Sequence, residues 1–314
     1  MTVIDLHTRK EISAPAQSVL CLGNFDGVHL GHRALVCETI AQKRRLSTVY
    51  PQIKSGAWFF RRAPYDIITR NTTPKLTDLS QKLDLFAELG LDLAFIFEYE
   101  EVGDNSPEKF VNDVLKKDCG CVFAICGYNF KFGKGAKGDT LTLTKLMDGN
   151  ASIVNKISAD GKNVSSSDIR RLIADGNIEG ANLLLGHNFS LHGEIIHGKK
   201  LGRTLCIPTV NQSFDRSAAL PKNGIYVSQT FVGDAWLPSV SNIGIRPSVE
   251  KNGEVNCETY ILDFTGDLYG KDLKIELLSR LRDEIKFDGV ESLKAQINKD
   301  IEQTRLYFEK RREV

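Results

Sequence analysis

The feature that most constrains this chain is a short apolar run that passes straight into a glycine-rich turn. Residues 18–22 are too few for a buried helix and end at Gly23. Such a run reads as a strand buried on both faces. The turn that follows, Gly23 to His32 (GNFDGVHLGH), leads into a helical stretch from about Arg33 to Leu46. Further short apolar runs at Thr48–Tyr50, Leu93–Phe97 and Val122–Cys126 read as strands. Helical patterns lie between them. Leu79, Leu83, Phe86 and Leu89 share one helical face. Ser106-Pro107 has the chemistry of a helix start, a hydroxyl N-cap followed by proline, and that helix should reach about Lys116. Strands alternating with helices predict an α/β fold with a parallel sheet and crossover helices. Residues 51–76 show no clear period and read as loop with short elements. Ser165 to Asp168 then caps a helix through Ala174, and Ile178–Leu185 forms another.

After Gly186 the pattern changes. Ser190–Ile196, Leu205–Asn211, Ile225–Phe231, Leu237–Ile243, Asn256–Leu262 and Leu273–Leu278 read as short strands between Gly, Asn, Asp and Pro turns. That spacing predicts an antiparallel barrel or sandwich. Leu293, Ile297 and Ile301 give a closing helix its apolar stripe. A boundary near residue 186 divides the 314 residues into domains of 1–185 and 186–314.

Lys plus Arg is 41 against 40 for Asp plus Glu, a net charge of +1. That balance, without interleaved basic and aromatic residues, speaks against a nucleic-acid partner. No run approaches the ~20 apolar residues of a membrane helix. The first residues mix acidic and basic side chains where a signal peptide has an apolar segment. The expectation is a cytoplasmic protein, no membrane partner, a monomer or weak homo-oligomer. Seven scattered cysteines, an odd number, suggest reduced thiols rather than a disulfide framework, and the Cys119/Cys121 pair lacks a zinc-site complement.

Two stretches carry chemistry. In the first, glycines at 23, 27 and 31 let the main chain turn tightly and approach a ligand. The helix beginning near Gly31 aims unpaired N–H groups at the same spot and favours an anion there. His29 and His32, three residues apart, can serve one phosphate chain as hydrogen-bond donors. Gly133 to Gly138 (GKGAKG) formally matches a dinucleotide fingerprint, but it does not follow the first strand and opens no clear helix. In the second, Gly198 to Asn211 (GKKLGRTLCIPTVN) combines loop glycines, Gly198 and Gly202, with Lys199, Lys200 and Arg203. A cationic loop of this kind suits ATP phosphates. Thr209 and Asn211, two apart on an expected strand, would present two oxygens on one side, a fit for Mg²⁺.

The first stretch resembles the HxGH nucleotidyltransferases, and more narrowly the adenylyltransferase half of bacterial bifunctional riboflavin kinase/FAD synthetases. Gly127–Asp139 (GYNFKFGKGAKGD) and Val164–Ile173 (VSSSDIRRLI) continue the resemblance at the family's spacing. The second half is similar to the riboflavin kinase module through residues 198–211, 220–227, 241–249, 257–264 and 266–284. The resemblance implies a Rossmann-like nucleotidyltransferase domain followed by a riboflavin-kinase-type antiparallel β-barrel with a closing helix. It implies ATP-dependent phosphorylation of riboflavin to FMN, then adenylylation of FMN to FAD with release of pyrophosphate, with Mg²⁺ at both sites. It further implies that His29, His32 and Arg170 serve the adenylyl transfer. Gly23, Phe25, Asp26, Gly31, Asn129 and Ser165 would bind the nucleotide there. In the kinase half it assigns Gly198, Lys200, Gly202 and Arg203 to nucleotide, Thr209 and Asn211 to the metal, and Glu258 to the riboflavin 5′-hydroxyl proton. Cys206 and Val210 replace a glycine and an alanine common in the family. The chain also departs from the family's F-x-P-H-P stretch, whose nearest counterpart is Val49-Tyr50-Pro51-Gln52-Ile53, without the histidine. Two other readings stay open: a riboflavin kinase with an impaired or re-purposed first domain, and a non-catalytic flavin-binding regulator.

Overall fold

The computed structural model describes residues 1–5, 17–196, 207–215, 217–245 and 255–312. The chain divides into two compact units, Met1–Ser166 and Ser167–Val314.

The first unit is built on six parallel strands: β1 (Thr2–Asp5), β2 (Ser18–Leu22), β3 (Lys54–Phe60), β4 (Leu93–Phe97), β5 (Cys121–Gly127) and β6 (Ala151–Val154), in the order β1-β4-β3-β2-β5-β6. Alternation sorts their side chains to two cores. Leu20, Leu22, Trp58 and Phe95 pack under the helix that Ser106 caps, with Phe110 and Val114. Val19, Cys21, Ala57 and Phe59 pack on the other face, with Val36 of α1 (Leu30–Leu46) and Phe86 of α3 (Leu79–Glu88). Both faces are covered, which is why β2 and β4 are buried at every residue and show no period of two. From β2 the chain winds through β3 to β4 on one side, then crosses to β5 on the other. That reversal makes a crevice at the carboxyl ends of β2 and β5, the place where open α/β sheets bind ligands.

Two expectations need correcting. Thr48–Tyr50 is no strand: the Val49 and Tyr50 amides bond Leu46 O and close α1. The neighbouring strand is β3, inside the stretch that reads as loop. Its Ser55-Gly56-Ala57 centre carries little apolar signal because the sheet has no room there. A Cβ on Gly56 would lie 3.0 Å from Leu20 Cδ2 and from Leu93 Cβ. Val49–Ile53 lies before β3, whereas its carboxyl end runs through Phe60-Arg61-Arg62-Ala63-Pro64 into α2 (Pro64–Thr69). Arg61 is committed to Asp5 and Glu98, at 2.5 and 2.6 Å; Arg62 is exposed. Finally, α1 begins at Leu30, three residues earlier than expected. A short helix α4 (Tyr99–Val102), the helix α6 (Thr140–Leu146) and the hairpin β7 (Ser158–Ala159)–β8 (Lys162–Asn163) add elements that sequence reading did not supply.

The division falls within α7 (Ser166–Ala174), after its first residue, and α8 (Ile178–Leu185) follows in the second unit. Both helices go with the barrel: Asn182 Nδ2 donates to Leu277 O, and Lys222 N to Ile173 O. Six antiparallel strands close the barrel in the order β10-β13-β12-β11-β14-β9. They are β9 (Phe189–Ile196), β10 (Val210–Ser213), β11 (Gly224–Val232), β12 (Ala235–Ile245), β13 (Val255–Ile261) and β14 (Asp272–Arg282). The closing helix α9 (Val290–Arg312) is pinned by Asp300, whose carboxylate takes Arg282 Nη2 at 2.6 Å and Gln296 Nε2 at 2.9 Å. The Asp300 side chain is only 3% exposed. Removing one partner of such a pair leaves the other charge buried. Asp300→Ala should therefore lower stability by about 3 kcal/mol, while Arg282→Met with Asp300→Leu recovers most of it. Scanning calorimetry of the two variants checks this.

Candidate active sites

The first site forms where β2 ends. Phe25, Gly27 and Val28 all have positive φ, at 53°, 83° and 39°. Two of the three carry side chains, so contacts from outside must hold the turn. Asp26 Oδ1 accepts from the amides of Leu76 and Thr77, at 3.0 and 3.3 Å. The Gly27 amide donates to Thr77 Oγ1 at 3.0 Å, and Ser166 Oγ donates to the Asp26 carbonyl at 2.9 Å. Lys82 Nζ donates to the Asn24 carbonyl at 2.9 Å. Phe25 is fully buried, its ring 5.2 Å from both His32 and Phe86. What Phe25 offers a ligand is thus its main chain. Gly23 leaves room for that ring, since a Cβ there would sit 3.3 Å from it.

The turn delivers His29 as N-cap of α1, where its Nδ1 accepts from the His32 amide at 3.3 Å. An accepting Nδ1 puts the neutral ring's proton on Nε2. The two imidazoles stack at 3.6 Å and 13°. Gly31 makes the room: a Cβ there would stand 3.1 Å from His29 Cε1. Burial first, then the neighbouring His29 and Lys82, push His32 well below the usual imidazole range. His32 is therefore neutral at pH 7, and its buried Nδ1 has no hydrogen-bond partner among the described residues. Asn129 lies exposed beyond β5, the other lip of the crevice. Ser165 is half-buried just before α7, and Arg170 is half-buried on α7 in the second unit.

Sequence reading missed Lys82, Thr77 and Ser166. A signal for Lys82 was present: it is three residues after Leu79 and four before Phe86, a cation on an apolar helical face. Thr77 and Ser166 are ordinary hydroxyl residues whose partners come from 50 and 140 positions away, and nothing local marks them. The Gly133–Gly138 segment forms a 3-10 turn at Lys134–Ala136 between a Phe132–Gly138 bridge, not a strand-to-helix turn.

The second site is on the barrel. Along β13, Cys257, Thr259 and Ile261 point inward and are buried, so Glu258 points outward and is exposed. The ladders set Asn211 of β10 and Asn242 of β12 opposite Glu258 on its two sides. Asn256 joins them: its Nδ2 lies 3.2 Å from Asn211 Oδ1 and 3.4 Å from Glu258 Oε1. The β10 strand begins at Val210, so Thr209 stands just before the ladder and not within it. Thr209, Val210, Asn211, Ile261, Phe264 and Tyr269 line a cavity of about 400 Å³. The Oδ1 atoms of Asn242 and Asn256 are buried without a hydrogen-bond partner among the described residues. Neutral oxygen donors beside a carboxylate fit a hard divalent cation such as Mg²⁺. Gly198, Lys200, Gly202 and Arg203, with Lys199, Leu205 and Cys206, lie outside the described residues. The thiols that are described are all free. Burial pushes Cys21 up to about 12 and Cys257 up to about 11, which leaves both unreactive.

The depressed pKa of His32 has a consequence for folding. In the unfolded chain it would titrate near 6.5; in the folded protein it resists protonation below that value. The unfolded state then binds the extra proton, so stability falls as pH drops below about 6.5. Melting curves from pH 7.5 to 5 should show this loss reduced in His32→Gln.

Two family models match the chain: FAD synthetase over residues 11–168 and riboflavin kinase over residues 185–308. A bifunctional riboflavin kinase/FMN adenylyltransferase of Bacillus subtilis (strain 168) is 34% identical over 302 residues, 93% of each chain. The protein of the same description from Escherichia coli (strain K12) is 34% identical over 298 residues, 92% of each chain. A crystal structure described as a macrolide-efflux protein from Streptococcus pneumoniae superposes with a TM-score of 0.87 at 25% identity, over 97% of this chain and 99% of that one. Among the described residues no helix is long and apolar enough to cross a membrane.

Proposed function

Because the chain belongs to the bifunctional riboflavin kinase/FMN adenylyltransferase family, we propose that its barrel phosphorylates riboflavin to FMN and that its parallel-sheet half adenylylates FMN to FAD. The observation that carries this reading is the placement of the polar constellations. His29 and His32 stand at a helix N-terminus on the switch point of the sheet, and Asn211 and Glu258 stand opposite one another on the barrel. We assign residues 1–185 to adenylyl transfer and 186–314 to the kinase. This keeps Arg170 with the first activity, as the resemblance implies. We further propose a cytoplasmic enzyme of small molecules, acting as a monomer or weak homo-oligomer; the near-neutral charge speaks against a nucleic-acid partner. The readings as an impaired first domain or a non-catalytic regulator are not favoured, since both halves match their families.

For the kinase, the riboflavin 5′-oxygen attacks the γ-phosphorus of ATP in line, and the bond to the β–γ bridging oxygen breaks, leaving ADP. Glu258, exposed on the outer face, accepts the hydroxyl proton. Asn211 and Thr209 would hold Mg²⁺, which supplies counter-charge to the phosphates. Gly198, Lys200, Gly202 and Arg203 would cradle them. In the second reaction an FMN phosphate oxygen attacks the α-phosphorus of another ATP, and pyrophosphate leaves. No covalent enzyme intermediate is needed. The α1 amides and His29 Nε2–H donate to the phosphate oxygens as charge shifts onto them, and His32 takes part as a neutral ring. Gly23, Phe25, Asp26 and Gly31 shape the turn, and Asn129, Ser165 and Arg170 complete the nucleotide contacts.

Chromatography of flavins after incubation with riboflavin, ATP and Mg²⁺ should show FMN and then FAD. Glu258→Ala should cut FMN formation by about 100-fold or more yet leave adenylylation of supplied FMN intact. His29→Ala should do the reverse. If either variant, still folded, lost both activities, the two-site assignment would be wrong.

A further inference from the structure

Lys82 is a lysine in a place where lysines seldom occur. It sits on the sheet-facing side of α3, only 8% exposed. A buried ammonium needs a partner, and the usual partner is a carboxylate. Here the 2.9 Å hydrogen bond goes to a main-chain carbonyl, that of Asn24. The face of the Phe59 ring, 4.9 Å from Nζ, supplies a second, weaker attraction. Burial lowers Lys82 to about 8, aided by Lys75 and opposed by Asp26 and Asp78, so it remains mostly charged at neutral pH.

Two features of the neighbouring turn call for such a group. The Asn24 carbonyl belongs to the peptide that leads into Phe25, the first left-handed residue of the turn. Holding that carbonyl holds the entry to the whole left-handed path. The second feature is the stacked histidine pair. Rings 3.6 Å apart and nearly parallel cannot both carry charge without repulsion, and the Lys82 charge acts on His32 in the same direction. With His32 held neutral, Lys82 is a fixed positive charge beside that ring.

We propose that Lys82 is a positioning residue of the first site: its ammonium locks the entry to the Asn24–Val28 turn through the Asn24 carbonyl and places a standing positive charge beside the His29–His32 pair. This rests on the reading of that site as the adenylyl-transfer centre. The charged and titratable groups that bear on it are His29, His32, Asp26, Lys75 and Asp78.

The test uses the full chain with Lys82→Met, Lys82→Gln and Lys82→Arg. Riboflavin phosphorylation, in the other half, is the internal control and should be unchanged in all three. Conversion of FMN to FAD should fall on the order of tenfold to a hundredfold in kcat in the Met variant, with a smaller change in KM for ATP. The Arg variant should recover much of it. Histidine-selective ¹³C NMR should show the His32 titration moving up in the Met and Gln variants and not in the Arg variant, because the Lys82 charge is one of the causes that depress it. Unchanged FAD formation in the Met variant, or an unmoved His32 titration in both the Met and Gln variants, overturns the proposal. If the unaltered protein makes no FAD, the functional reading fails instead, and the His32 titration still decides the role of Lys82.

Discussion

At Phe25, Gly27 and Val28 the main chain adopts positive φ, where a side chain crowds its own backbone. It stays there because Lys82, Thr77, Ser166 and the amides at 76–77 each take one of its polar groups. None of these anchors belongs to the turn; they come from residues 76–77, from α3 and from Ser166 at the start of α7. The N-cap geometry of His29, the stacking of His32 on it and the neutrality of His32 all follow from that constraint. A turn released from its anchors would relax toward ordinary φ values, and the α1 amides would lose the cradle in front of them.

On the barrel the governing constraint is the pleat. Inward positions of β11, β12 and β13 form a buried chain of hydroxyls, Thr230–Ser239–Ser228–Ser241–Thr259, each within 3.1 Å of the next. These groups satisfy one another, so the polar interior costs little. Because successive side chains alternate, locking Cys257 and Thr259 inside forces Glu258 out. The antiparallel registers then bring Asn211 and Asn242 alongside it. A slip of one residue would bury the carboxylate and expose the core.

Much of this was legible in the chain. The strands β2 and β4 are dense in apolar residues, and Ser106-Pro107 starts its helix as capping chemistry requires, with Ser106 Oγ accepting from the Lys109 amide. The barrel strands were visible from their alternation and their turns. β3 is harder to read because its first half, Ser55-Gly56-Ala57, is made of small residues with weak periodicity, and Gly56 is crowded by Leu20 and Leu93 of the neighbouring strands.

The sequence by itself determined the residue types of both chemical stretches, the alternation of strands and helices in the first half, and the change from a parallel α/β half to an antiparallel β half. These depend on local pattern: periodicity, caps, glycine turns and the spacing of polar side chains. Tertiary structure alone decided which distant groups complete the sites. Lys82 reaches Asn24 across 58 positions, Ser166 reaches Asp26 across 140, and Glu258 meets Asn211 through a ladder register. Such pairings depend on how sheets stack and close, and no local pattern carries that information.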